Sequence, residues 1–233
     1  MHILVINPNS TASMTRSIET AARLAARPGT QITAINPTDT PASIQGPEDG
    51  LATLPGLFSL FESAVMAPGG YDACVIACFD DTGLMELRRR AAIPVIGIGE
   101  AAFQMAMLLG QRFSVVTTLS VSIPVIEDNL RAYGYASRCI RVRASEVPVL
   151  ALESDAEASA DAIAAEIGRA MREDRPDAIV LGCAGMAGLA ERMSDAYRLP
   201  VIDGVAAAIA LAEATVTTGN ARRLKSGLAL VPA

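Results

Sequence analysis

The chain has 233 residues, of which 51 % are hydrophobic, and a formal net charge of −6. That length buries a sizeable core, as two small lobes or one large domain, while no apolar run approaches the roughly 18 residues of a membrane span and no basic region precedes the first apolar run as in a signal peptide, so a cytoplasmic protein is expected. The acidic balance argues against nucleic acid, and a lone histidine, His2, excludes His-based metal sites and sits at the wrong end of its strand to serve as a catalytic base.

In chain order, apolar runs read as strands at 3–7, 31–36, 73–77, 95–98, 113–117, 139–142, 178–181 and 201–203. Helical periodicity fills the intervals at 12–26, 57–66, 84–91, 100–109, 124–133, 155–172, 189–197 and 206–215. The alternation predicts an α/β fold of mainly parallel sheets flanked by helices. The first strand-to-helix turn, Asn7-Pro8-Asn9-Ser10-Thr11, carries amides and hydroxyls where a dinucleotide site would carry glycines. Ser10 or Thr11 is the expected helix N-cap. Residues 37–50, including Ser43, form a long loop placed to fold over a cleft. The arginines at 88–90 and between 138 and 143 read as a solvated helix end and edge strand.

Two stretches resemble each other: YDACVIACFDDTGLMELRRRAAIPVIGIGEAA and PDAIVLGCAGMAGLAERMSDAYRLPVIDGVAAA. Asp72 matches Asp177, Cys78 matches Cys183, and Ile93-Pro94-Val95-Ile96 matches Leu199-Pro200-Val201-Ile202. A weaker echo joins ILVINPNSTASM to FSVVTTLSVSIP. The chain therefore reads as two pseudo-symmetric lobes built from a duplicated unit. The expected division is 1–99 and 100–205, with a C-terminal helix, 206–233, packed on the first lobe.

Cys78 and Cys183 each stand where an apolar strand ends and a helix is about to begin, the end at which open α/β sheets bind ligands. Backbone N–H groups there favour a thiolate and an oxyanion. Cys74 lies inside its strand and reads as core, and Cys139 is assigned no role. Pseudo-twofold symmetry would set Cys78 and Cys183 on opposite sides of one cleft. An acid/base group on each face of a carbon suits racemisation or epimerisation, one thiolate removing a proton and the opposite thiol returning one. Lys225, the only lysine, gives no support to a pyridoxal Schiff base.

At these residues the chain resembles the cofactor-independent Asp/Glu/hydantoin racemase superfamily, and within it the hydantoin racemases. The likeness runs through INPNST, IACFDD, RFSVVTTL, EVPVLALE, VLGCAGM and PVIDGVAAA. It implies a two-lobe α/β fold with the active site in the cleft, catalytic cysteines at Cys78 and Cys183, homo-oligomers, and no metal or organic cofactor. Amino-acid racemases of the superfamily tend to read Cys-Asn-Thr and Cys-Thr at the two cysteines. Here Phe79-Asp80 and Ala184-Gly185 stand instead, which suits a neutral ring bearing carbonyls.

The substrate contacts expected are Asn9, Ser10, Ser43, Phe79, Asp80, Thr117, Thr118, Ala184 and Gly185, with Phe79 as a wall for a 5-substituent. The small-molecule substrate expected is a 5-substituted hydantoin, racemised at C5, or allantoin. A cysteine-dependent decarboxylase or isomerase, or a two-lobed binding protein, are the other readings.

Overall fold

The computed structural model describes residues 1–66 and 70–219. Lys225 and residues 220–233 of the expected C-terminal helix lie outside the described residues.

The first half holds β1 (His2–Ile6), α1 (Ala12–Ala25), β2 (Gln31–Ile35), α2 (Pro47–Met66), β3 (Ala73–Ile76), α3 (Leu84–Arg90) and β4 (Val95–Gly97). After α4 (Ile98–Leu109) come β5 (Phe113–Thr117), α5 (Ile123–Ala132), β6 (Cys139–Ala144), α6 (Ala151–Ser154), α7 (Ala156–Glu173), β7 (Ala178–Gly182), α8 (Ala190–Tyr197), β8 (Val201–Ile202) and α9 (Gly204–Thr217). Two four-stranded parallel sheets result, ordered β2-β1-β3-β4 and β6-β5-β7-β8. The second order repeats the first, as the duplicated sequence predicts. The matched aspartates do matching work. Asp72 accepts the N–H of His2 at the start of β1 (2.9 Å), and Asp177 accepts those of Gln111 and Arg112 before β5 (2.8 and 3.0 Å).

The strands alternate between two cores, following the period of two along each strand. Ile3, Val5 and Val75 of one sheet, with Phe113, Val115 and Val180 of the other, face a shared central layer filled by α1, α4 and α9. Leu4, Ile6, Cys74 and Ile76 face an outer core with α2 and α3, while Val116, Ile179 and Leu181 face one with α7 and α8. Cys74 is thus a packing residue, as expected. The last helix among the described residues, α9, packs on α1 and α4 and also touches β7, so it joins both halves.

Two local expectations need correction, and one short helix was not expected. Helix α2 begins at Pro47, ten residues early, because Pro47 needs no N–H donor in the first turn and Asp49 accepts the N–H of Gln45 (3.0 Å). Pro55 sits on its exposed side. The loop after β2 is therefore shorter than 37–50. The expected helix 155–172 is α7, and the short helix α6, which was not expected, precedes it and is parted from it at Asp155. Finally, Arg143 on the edge strand β6 is not solvated: it is 7 % exposed and bound to Glu166, Glu173 and Asp174.

Candidate active site

The order β2-β1-β3-β4 reverses direction between β1 and β3, the place where a crevice opens at the carboxyl ends of parallel strands; β5 and β7 repeat it. Residues just after these four strands border one cavity: Asn7 and Asn9 after β1, Cys78 and Asp80 after β3, Thr118 after β5, Cys183 and Ala184 after β7. Both cysteines border this single space, as the pseudo-symmetric reading requires.

Each cysteine opens a tight turn of the same form. The carbonyl of Cys78 accepts the N–H of Asp81 (3.0 Å), and that of Cys183 accepts the N–H of Met186 (3.1 Å). Two residues on, the backbone N–H of Asp80 pulls the Cys78 thiol down and that of Gly185 the Cys183 thiol. The Thr82 hydroxyl also lies 3.4 Å from the Cys78 sulfur.

These donors do not make the thiols acidic. Burial dominates, pushing Cys78 well above the usual thiol range, with Asp80 adding to the effect, and pushing Cys183 up to about 11. The expectation of easy ionisation fails for a physical reason. Cys78 is followed by an irregular turn and Cys183 by a 3₁₀ turn, Ala184–Leu189, so neither sulfur meets a full helix dipole. The cavity they face measures about 30 Å³, the liquid share of about one water molecule, and hydrates a thiolate poorly.

Among the described residues bordering it, Asp80 is the only charged one, and no arginine, lysine or histidine reaches it. Burial pushes the Asp80 carboxyl up to about 7. Its neighbour Asp81 caps α4 from a distance. Its carboxylate accepts the N–H groups of Gly99 (3.0 Å) and Glu100 (2.8 Å) and the hydroxyl of Tyr133 (3.0 Å). The amide of Asn129 donates to the Asp80 carbonyl at 2.8 Å, so α5 of the second half holds the Cys78 turn.

The Asn-Pro-Asn turn serves as a frame. Asn9 accepts from Asn7 (2.9 Å) and from the N–H of Thr11 (3.0 Å), which leaves its amide N–H₂ on the weak acceptor Met14 Sδ (3.2 Å). Thr11 is the N-cap residue of α1, yet its hydroxyl donates to Ala42 O (2.6 Å) rather than to the helix. With Ser10 N–H on Pro41 O and Thr40 on Pro8 O, both at 3.0 Å, it pins the loop after β2 and brings Ile44 to the cavity. Opposite, Val149 closes the cavity from the second half, its N–H donating to Gln45 Oε1 (3.2 Å).

Of the expected contacts, Asn9, Phe79, Asp80, Thr118 and Ala184 border the cavity with the two cysteines. The Phe79 ring, however, packs edge-on against Phe103, with centroids 5.5 Å apart. Ser10, Ser43, Thr117 and Gly185 do not border it. Ser10 and Ser43 belong to the frame and the loop, Gly185 serves the Cys183 sulfur, and Thr117 is buried with its hydroxyl on Gly182 O (3.0 Å). Asn7, Met14, Ser122 and Val149 were not expected there. Asn7 and Ser122 stood in the two echoing stretches, so that echo was the signal. A larger cavity, about 350 Å³ between β4, α3, α4 and α9, contains neither cysteine.

Residues 3–212 match the family model described as Asp/Glu/Hydantoin racemase. The hydantoin racemase of Rhizobium meliloti is 50 % identical over 221 residues, 95 % of this chain and 91 % of that protein. Allantoin racemase from Klebsiella pneumoniae superposes with a TM-score of 0.90 at 42 % identity, over 94 % of this chain and 89 % of that one. Glutamate racemase RacE1 of Bacillus anthracis shares the fold, with a TM-score of 0.69 at 18 % identity, over 94 % of this chain and 82 % of the other.

Proposed function

The chain belongs to the Asp/Glu/hydantoin racemase family and is a racemase, and on that premise we propose that it interconverts the D and L forms of 5-substituted hydantoins through Cys78 and Cys183. The observation that carries this reading is the single cavity bordered by two cysteines from equivalent strand ends, each sulfur facing an N–H two residues on.

The proton at C5 of a hydantoin lies beside a ring carbonyl, and its loss leaves an enolate. One cysteine, as thiolate, takes that proton, and the thiol on the opposite face returns one. Exchanging the roles serves the other enantiomer. A single base would tend to return the proton to the face it came from. Both thiols are held protonated at neutral pH, so each is ready as the acid, and a thiolate has to be generated in the closed site. Exclusion of water then protects the enolate from stray protons.

For the ring we assign the Asn9 amide, the Thr118 and Ser122 hydroxyls, Asp80 and the backbone at Ala184. The 5-substituent lies toward Met14, Ile44 and Val149. Among the described residues the cavity is bordered by no cation to pair with the carboxylate of a free amino acid, which favours a neutral ring. We carry forward a cofactor-free homo-oligomer in the cytoplasm as part of this reading.

Deuterium incorporation at C5, followed for each hydantoin enantiomer in heavy water, tests the proposal. Exchange accompanied by loss of optical rotation supports it; no exchange with either enantiomer rejects it. The likeness to the Klebsiella allantoin racemase favours allantoin as the second substrate reading. Turnover of allantoin against alkyl and benzyl hydantoins decides between them.

A further inference from the structure

We propose that Asp80 is the proton store of this site: it takes the thiol proton of whichever cysteine acts as base, and as a carboxylic acid donates a hydrogen bond to the substrate enolate. The inference rests on the racemase reading and concerns how the same site makes its base.

The argument starts from charge. One sulfur has to be a thiolate while the cavity is small and bordered by no cation among the described residues. Two negative charges sharing such a space repel strongly, so one is tolerated and a second is not. Asp80 shares the cavity with both sulfurs, and its charge bears on each of them. No histidine is at hand to play this part.

The groups around Asp80 are few. Cys78 and Asp81 flank it in its own turn, Cys183 faces it from the second half, and Thr118, Ser122 and Asn129 are neutral. Asp81 is committed to the N-terminus of α4 and to Tyr133. Glu100 lies behind it, paired with Arg88.

The cycle balances without any outside reagent. In the resting site Asp80 is the carboxylate and both cysteines are thiols. The S–H bond of one cysteine breaks and an O–H bond forms on Asp80, leaving a thiolate and a carboxylic acid at the same total charge. The thiolate takes the C5 proton, and the electron pair of the C–H bond passes to the adjacent carbonyl oxygen, which accepts a hydrogen bond from the Asp80 acid. The opposite thiol then protonates C5 on its other face. That cysteine, now a thiolate, recovers its proton from Asp80, and the resting site returns. The Asn129 hydrogen bond to the Asp80 carbonyl fixes the main chain from which the carboxyl turns between the sulfurs.

The test is the pH dependence of kcat/KM for one hydantoin enantiomer with the wild type, Asp80→Asn and Asp80→Glu. The working state needs the Asp80 carboxylate, whose burial sets its titration at about 7. The wild-type rate is therefore expected to rise with pH through about 7. Asp80→Asn is expected to lose about 100-fold or more in kcat and to abolish that rise, while Asp80→Glu keeps it. Rates for Asp80→Asn within about threefold of wild type, or a wild-type profile that stays flat between about pH 6 and about pH 9, would overturn the proposal. If Asp80→Asn fails to fold, the wild-type profile alone decides. If the wild type racemises hydantoins and Asp80→Asn does so within about threefold of that rate, this inference fails and the racemase reading stands. If the wild type exchanges no C5 proton, both fall.

Discussion

At the scale of single residues, the two sulfurs carry the clearest expectations. Cys78→Ser and Cys183→Ser should each lower racemisation by about 1,000-fold or more. Each variant should still exchange the C5 proton of the one enantiomer that its remaining cysteine faces, seen by proton NMR in heavy water. The neighbouring threonines should separate cleanly. Thr117 is buried, bonded to Gly182 O and does not itself border the cavity, so Thr117→Val should lower stability by about 1 kcal/mol in urea melts with little change in KM. Thr118 borders the cavity, so Thr118→Val should raise KM. Asp80 and Asp81 are both raised by burial from 3.8 to about 7. The folded protein thus holds protons there that the unfolded chain releases. That contribution to stability is full below about 3.8 and is lost as the pH rises through about 7. The melting temperature should fall between about pH 5 and about pH 8, and less steeply in Asp80→Asn. Cys78 and Cys183 were legible in the sequence because a polarizable, chemically useful residue recurred at the same strand end of a duplicated unit. Val149 was not, because it stands in an irregular segment placed only by packing against the other half.

At the scale of elements, the loop after β2 depends on two glycines. Gly46 has φ of +98° and its Cα faces Val121, where a Cβ would come within 2.8 Å of Cγ2. Gly56, on α2, leaves room for Thr40, and a Cβ there would lie 2.6 Å from Thr40 Cγ2. Thr40 is one of the pins of the loop. Gly56→Ala should therefore displace the loop that carries Ile44, destabilising by about 1–3 kcal/mol and raising KM. Asp203 accepts the N–H groups of Val205 (2.8 Å) and Ala206 (3.1 Å) at the start of α9. Asp203→Ala should cost about 1 kcal/mol in thermal melts without touching the cavity. The early start of α2 was hidden because Gly50, Pro55 and Gly56 weigh against helix locally. Packing of Thr53, Leu57 and Phe61 into the protein overrides that preference. The strands were legible because alternating apolar residues meet a core on each side of the sheet.

At the scale of the whole molecule, the site lies between halves that are tied across their seam. Asn129 of α5 and Tyr133 just after it hold the Cys78 turn, Gln45 meets Val149, and Glu153 of α6 accepts from Ser13 (2.6 Å) and Ser17 (3.1 Å) of α1. A space of about 30 Å³ cannot admit a substituted ring, since ligand pockets hold roughly 300–1,000 Å³. On the proposed reading, binding a substituted ring is expected to part Ile44 from Val149. The two-lobe plan was readable from the repeat, but these ties were not, since they join residues with no common pattern. The position of α9 has a different outcome. Its residues Ala207, Ala208, Ile209 and Ala212 fill the central layer against α1 and α4. That helix is among the last described segments to be made, whereas the elements that need it emerge from the ribosome much earlier. Until translation reaches it, the nascent polypeptide exposes an apolar seam, and ribosome-stalled chains cut before Gly204 should be captured by chaperones and cleaved readily by protease.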